Sequence, residues 1–166
     1  MHYTIGDLVI HWMYGPGTVV AIDEKELSGV TQPYYVIEVN QFKLWVPANE
    51  EGEGSIRFPA DSSEFEALFD ILRSPGTELP DHQLQRKNEL RARMQGRNLE
   101  GLCHVIRDLT DRGRHHSLNH NDSQTLTHAE DHLIDEWVLS LKVKPEIARR
   151  DLAALLEDPR EETAAG

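Results

Sequence analysis

The sequence predicts an α+β protein in two parts, a small antiparallel β-barrel or strongly bent sheet followed by a bundle of about five helices. Three observations carry this. Runs rich in β-branched and aromatic residues recur about every ten residues as far as Phe58. From residue 61 the apolar positions change to a helical period. Glycine, proline, asparagine and serine punctuate the gaps, where reversals of the chain need them. The expected division is a β domain over 1–58 and a helical domain over 59–166.

The first half reads as strands. Asp7 to His11 is a short apolar run, and Tyr14-Gly15-Pro16-Gly17 after it is a strong turn signal. Thr18 to Ile22 suits a half-buried pleated surface. Ser28-Gly29 marks a connection, and Pro33 restricts its position to a strand start or an edge. Tyr34 to Val39 follows, then a reversal at Asn40-Gln41, then Phe42 to Val46. In that last strand Phe42, Leu44 and Val46 share one face, with Lys43 and Trp45 on the other. The stretch from Ala48 to Ser55 is polar and glycine-rich and reads as a loop, with Ile56 to Phe58 closing the sheet.

The second half reads as helices. Asp61-Ser62-Ser63 offers caps, and Phe65, Leu68, Phe69 and Leu72 fall at i, i+3, i+4 and i+7. Ser74-Pro75-Gly76 ends that helix. A second is expected from Asp81 to Gln95, stopped by Gly96. A third opens at Asn98 and carries Leu99, Leu102, Val105, Ile106 and Leu109 on one face. The segment from Arg112 to Asp122 reads as a polar, histidine-rich loop. A fourth helix is expected from Ser123, burying Leu126, Leu133, Ile134, Val138 and Leu141, with Trp137 in the core. Pro145 suits the first turn of a fifth, and Arg160 to Gly166 reads as a frayed tail.

Composition excludes several classes. The chain has 166 residues, 39% hydrophobic and 28% charged, as a folded domain requires. No apolar run approaches the roughly 18 residues of a membrane span, and the start MHYTIGDLVIHW has no basic stretch leading into an apolar one. The lone Cys103 permits no internal disulfide and fits a reducing cytoplasm, the expected location. No glycine-rich phosphate loop, serine elbow or Cys/His nucleophile pair appears, so no enzyme is expected and no cofactor.

Net charge is −12, which opposes indiscriminate nucleic-acid binding. The charge is uneven. Residues 1–75 hold 4 lysines and arginines against 12 carboxylates, whereas residues 86–114 hold 8 against 4. This basic middle leaves room for a local phosphate contact. The histidines His115, His116, His120, His128 and His132 raise the alternative of a metal hydrolase, since His128 and His132 stand at i, i+4. The stretch reads His-Ala-Glu-Asp-His, without glutamate at the second position, and no third ligand stands at a diagnostic spacing; solvated histidines are the simpler reading.

These two halves, in this order, resemble the CarD family of bacterial transcription regulators and its RNA-polymerase-interacting module. The residues carrying the likeness begin with Ile5 to Ile10, Gly15 to Val19, Ala21-Ile22, Tyr34 to Ile37 and Leu44 to Ala48. In the helical half they are Phe69 to Arg73, Pro75, Leu90, Val105 to Leu109, Leu118, Leu126 and Ala129. The resemblance implies a Tudor-like N-terminal domain that binds the RNA polymerase β subunit, with the strand ending at Val46-Pro47 adding to a polymerase sheet. Lys25, Lys43, Leu44, Trp45, Val46 and Pro47 are the implied polymerase contacts. Lys25 and Trp45 occupy positions where the family commonly uses basic residues, and only Lys25 keeps the charge.

The resemblance also implies that the helical half meets promoter DNA at the upstream edge of the bubble. The family's wedge tryptophan falls on His82 here, counting back from Leu90. The implied DNA contacts are His82, Arg86, Lys87, Arg91, Arg93 and Arg97. No membrane partner and no oligomer are expected. The missing tryptophan and the acidic balance leave a second reading open, a polymerase-docking adaptor whose helical half recruits a protein.

Overall fold

The computed structural model describes residues 2–95 and 98–157. Arg97 and the tail from Asp158 lie outside the described residues. Contacts divide the chain into two compact units, Met1–Pro59 and Ala60–Gly166.

The first unit is an antiparallel sheet of five strands, β1 (Leu8–His11), β2 (Gly15–Leu27), β3 (Val30–Val39), β4 (Phe42–Pro47) and β5 (Ile56–Arg57). Their order is β4-β3-β2-β1-β5, so the sheet is open. Alternate residues of β3, Tyr35, Ile37 and Val39, point into a core with Tyr3, Val9, Val19, Val46 and Ile56. Complete burial of Tyr35 and Ile37 contributes about 1.5–3 kcal/mol each.

Local chemistry sets the turns. Ser28 and Gly29 both take positive φ (54° and 79°), the backbone that a two-residue hairpin between β2 and β3 needs. The Gly-Pro-Gly segment differs from its sequence reading. It lies inside β2, with Gly17 opposite Val9, and the turn falls earlier, over Trp12–Tyr14. His11 holds that turn, its Nδ1 accepting from Met13 N–H (3.1 Å) and Tyr14 N–H (3.3 Å). Pro16 is tolerated because β2 begins to pair with β3 only at Thr18. Gly17 is fixed by close packing: a Cβ there would stand 2.6 Å from Ile37 Cγ2. Within the polar stretch after β4, Asn49 caps a single helical turn, α1 (Glu50–Glu53), by accepting from Gly52 N–H.

The second unit contains α2 (Ser62–Arg73), α3 (Gln83–Met94), α4 (Leu99–His115), α5 (His120–Leu141) and α6 (Pro145–Leu155). Phe65, Leu68 and Leu72 of α2 pack on Leu102, Val105, Ile106 and Leu109 of α4 and on Leu133, Ile134 and Trp137 of α5. Asp61 and Glu64 form a capping box at the start of α2. The expected loop over Arg112–Asp122 is shorter. α4 runs on to His115, and Asn119 starts α5 early by accepting from Asp122 N–H at 2.8 Å. Helix α3 is the most polar of the five and buries only Arg86 and Leu90. It attaches to the bundle through Leu90 in the apolar core and through the buried Arg86.

Candidate interaction surfaces

Among the described residues strand β4 ends the sheet and pairs only with β3, which leaves the main-chain groups of its other edge without a strand partner there. Pairing alternates its side chains: Val46 is 3% exposed in the core, Leu44 is half-buried, and Lys43 and Trp45 face outward. Trp45 stands opposite Val36 and meets Tyr34 edge-on with ring centroids 6.4 Å apart. Lys25, on β2, places its ammonium 4.6 Å from the centroid of the Trp45 ring. Gln32 donates to the Tyr34 hydroxyl (2.9 Å) and accepts from the Asn49 amide (3.3 Å). Beside the free edge the exposed Trp45 ring is thus braced from beneath by the buried Tyr34 and covered by the Lys25 ammonium. The Val46 side chain is buried, so only its main chain lies at the free edge. Pro47, half-buried, ends the strand opposite Tyr34.

The expected basic patch on α3 divides in two. Arg86 is buried (3% exposed). Its Nε donates to both Asp122 oxygens (3.2 and 3.1 Å), its Nη2 lies 3.0 Å from Asp122 Oδ2, and its Nη1 donates to the Pro80 and Asp81 carbonyls. A phosphate cannot reach it, so Arg86 is a structural residue joining α3 to α5. Arg93 is committed likewise, with Nη1 2.7 Å from Asp108 and Nη2 2.8 Å from Glu89. Burial pushes the Asp108 carboxyl up, but hydrogen bonds from Thr77 N–H, Arg107, the Thr77 hydroxyl and Arg93 outweigh it and hold the group below its ordinary range. Lys87 and Arg91 remain exposed. His82 is exposed too, and its Nδ1 caps α3 by accepting from Gln85 N–H at 3.4 Å.

Sequence reasoning missed Leu84, in the first turn of α3 and 60% exposed. It missed also Asn119 and Asn121, which with His82, Leu84 and Lys87 line an indentation of about 570 Å³. The two asparagines, at the cap and in the first turn of α5, are distant in sequence from α3, and no local signal joins them to it.

The other candidate chemistry is weak. The His128 and His132 rings stand 4.2 Å apart, but among the described residues no group of three or more His, Cys, Asp or Glu side chains converges on a metal position. Cys103 is buried, and burial followed by the Glu136 and Glu100 carboxylates pushes its thiol up to about 12, far from nucleophilic. No described helix is long and apolar enough to cross a membrane.

Two family descriptions match the chain in succession. Residues 3–57 match the CarD-like/TRCF RID domain, and residues 67–153 match the CarD C-terminal domain. Domains of the first type mediate interactions with RNA polymerase. A curated relative, "Putative transcription factor YdeB" of Bacillus subtilis (strain 168), is 28% identical over 138 residues, covering 81% of this chain and 89% of that protein.

Proposed function

The chain belongs to the CarD family, and from that premise we propose that it docks on the RNA polymerase β subunit and touches promoter DNA at the upstream edge of the bubble, modulating open-complex stability. The single observation that supports docking most is the free edge of β4 beside the Lys25–Trp45 pair. Added strands gain affinity from main-chain hydrogen bonds and selectivity from neighbouring side chains. Lys25, Lys43 and Trp45 supply the side-chain contacts, while Leu44, Val46 and Pro47 supply the strand. Promoter contact falls to α3, where Lys87 and Arg91 are exposed. The protein works in the cytoplasm, as a monomer, without cofactor and without catalytic activity.

Docking raises the effective concentration of the helical domain at the promoter, so weak phosphate contacts suffice despite the net charge of −12. Binding of the full chain to purified polymerase, with and without the isolated β subunit as competitor, tests the first half of this reading. The lifetime of open complexes with and without the chain tests the second.

A second reading keeps the docking and removes the DNA contact, leaving the helical domain to recruit a protein. The internal commitment of Arg86 and Arg93 favours it, since it removes two cations from the expected patch. An unchanged open-complex lifetime with polymerase binding intact would select it.

A further inference from the structure

We infer that the groove between α4, α5 and α6 is a binding site for a small organic ammonium, an apolar body carrying one positively charged nitrogen. The site shares no residue with β4 or with the indentation beside α3, so it stands apart from the docking and promoter readings. Its cavity is about 530 Å³, within the range of small-ligand pockets. Leu109 from α4, Leu118 from the connection to α5, Leu126 from α5, and Leu152 and Leu156 from α6 and its cap form an apolar wall. Leu126 and Glu130 stand at i, i+4, as do Leu152 and Leu156, so each helix turns one face into the groove.

The polar groups left over in the groove set the charge of its occupant. Both lining arginines are committed. Arg114 donates from Nη2 to the Leu156 carbonyl and holds Nη1 3.8 Å from Asp111; Arg149 Nη2 lies 2.9 Å from Asp131. Glu130, half-buried on α5, is the reverse case. Among the described residues no hydrogen bond or salt bridge engages its carboxylate. Burial pushes this carboxyl above its ordinary range, against the lowering pull of the Arg149 charge and with a further push from Asp131. Thr110 gives an independent sign on the α4 side: its Oγ1 is buried without a hydrogen-bond partner among the described residues, and it lines the same groove. Buried hydroxyls are ordinarily bonded. An ammonium brings three donors and no acceptor, which matches a carboxylate and a hydroxyl oxygen at one apolar wall, and it offsets the carboxylate's loss of water. An organic anion meets the opposite situation, because the guanidiniums already hold acceptors and Glu130 repels it.

Gly113 lines the groove without a side chain. The nearest atoms to a Cβ there belong to Leu118, at 3.5 Å, an ordinary van der Waals distance. Gly113→Leu therefore fills the groove without displacing backbone, whereas Glu130→Gln keeps the shape and removes the charge.

The test uses the full chain at neutral pH and three probes of equal chain length: hexylamine, hexanol and hexanoate. Isothermal titration gives affinity, and leucine methyl shifts in NMR locate the site. Hexylamine, protonated under these conditions, is expected to bind saturably and about fivefold or more tighter than hexanol, the gain from a hydrogen bond to a charged group. Its shifts should centre on Leu118, Leu126 and Leu152, and hexanoate should leave them unmoved. Glu130→Gln should bring hexylamine down to the level of hexanol, and Thr110→Val should weaken it about twofold, one neutral contact being lost. Gly113→Leu should abolish binding of both at an unchanged circular dichroism spectrum. Absence of saturable hexylamine binding, equal affinity for hexanol, or a preference for hexanoate overturns the inference. So does hexylamine binding that Glu130→Gln leaves intact. Tighter binding of a lysine capped at both ends would assign the groove to a partner's lysine side chain and overturn the small-molecule reading.

Discussion

The Lys25 ammonium lies 4.6 Å from the centroid of the Trp45 ring, although the two residues stand on β2 and β4 with β3 between them. The indole bridges the width of one strand, and Tyr34 on β3 braces it edge-on. A cation over an indole at an exposed site contributes about 0.5–1 kcal/mol. The larger effect is orientation: the Lys25 ammonium is held against the indole, on the outward face that also carries Lys43.

Trp45→Glu should therefore weaken polymerase binding at least tenfold, because a carboxylate at that face is desolvated on docking. Lys25→Ala should weaken it less and raise dissociation along with loss of salt sensitivity. Kinetic binding to immobilised polymerase at two salt concentrations measures both. Equal affinity for a folded Trp45→Glu chain would remove that residue from the interface.

Breaking the buried pair should act on folding. Arg86→Ala leaves Asp122, 2% exposed, without its guanidinium, and loss of one partner of a buried pair costs about 3–5 kcal/mol. The double change Arg86→Met, Asp122→Leu should recover most of that in urea denaturation. A direct phosphate role for Arg86 would instead leave stability intact and alter only DNA-dependent signals.

Acidification should loosen the β1–β2 turn. The two N–H groups donating to His11 Nδ1 require it unprotonated, and burial holds this imidazole below its ordinary 6.5. The unfolded chain then binds the proton more readily, so this contribution to stability is complete above about pH 6.5 and is lost as pH falls through the lower folded value. Denaturation curves between pH 8 and 5 should fall less steeply for His11→Asn than for wild type. Parallel slopes would contradict the assignment.

Cys103 should be silent in the native protein. Its thiol, pushed up to about 12 inside the bundle, is expected to react with a disulfide reagent at least a hundredfold more slowly than in denaturant, because attack requires the thiolate. Stopped-flow thiol titration in buffer and in urea measures this ratio. Fast native labelling would show that the α4 core opens readily.

Much of the fold was legible in the sequence because it depends on local period and punctuation. Alternation in β4 put Leu44 and Val46 on one face, the face that packs into the core. The i, i+3, i+4, i+7 pattern marked the buried face of α2. The Gly-Pro-Gly segment misled, because a turn signal cannot show that His11 already closes the turn upstream.

The sequence by itself determined the two-part architecture, the apolar faces and the presence of a basic segment. Only the tertiary structure decided which cations of that segment are available. Arg86 and Lys87 are neighbours of similar charge, yet one turns toward Asp122, 36 residues on, and the other toward water. The physical reason is the rotation of about 100° per residue along a helix, which sends adjacent side chains to different faces. Which face meets the bundle depends on carboxylates that folding brings from elsewhere in the chain.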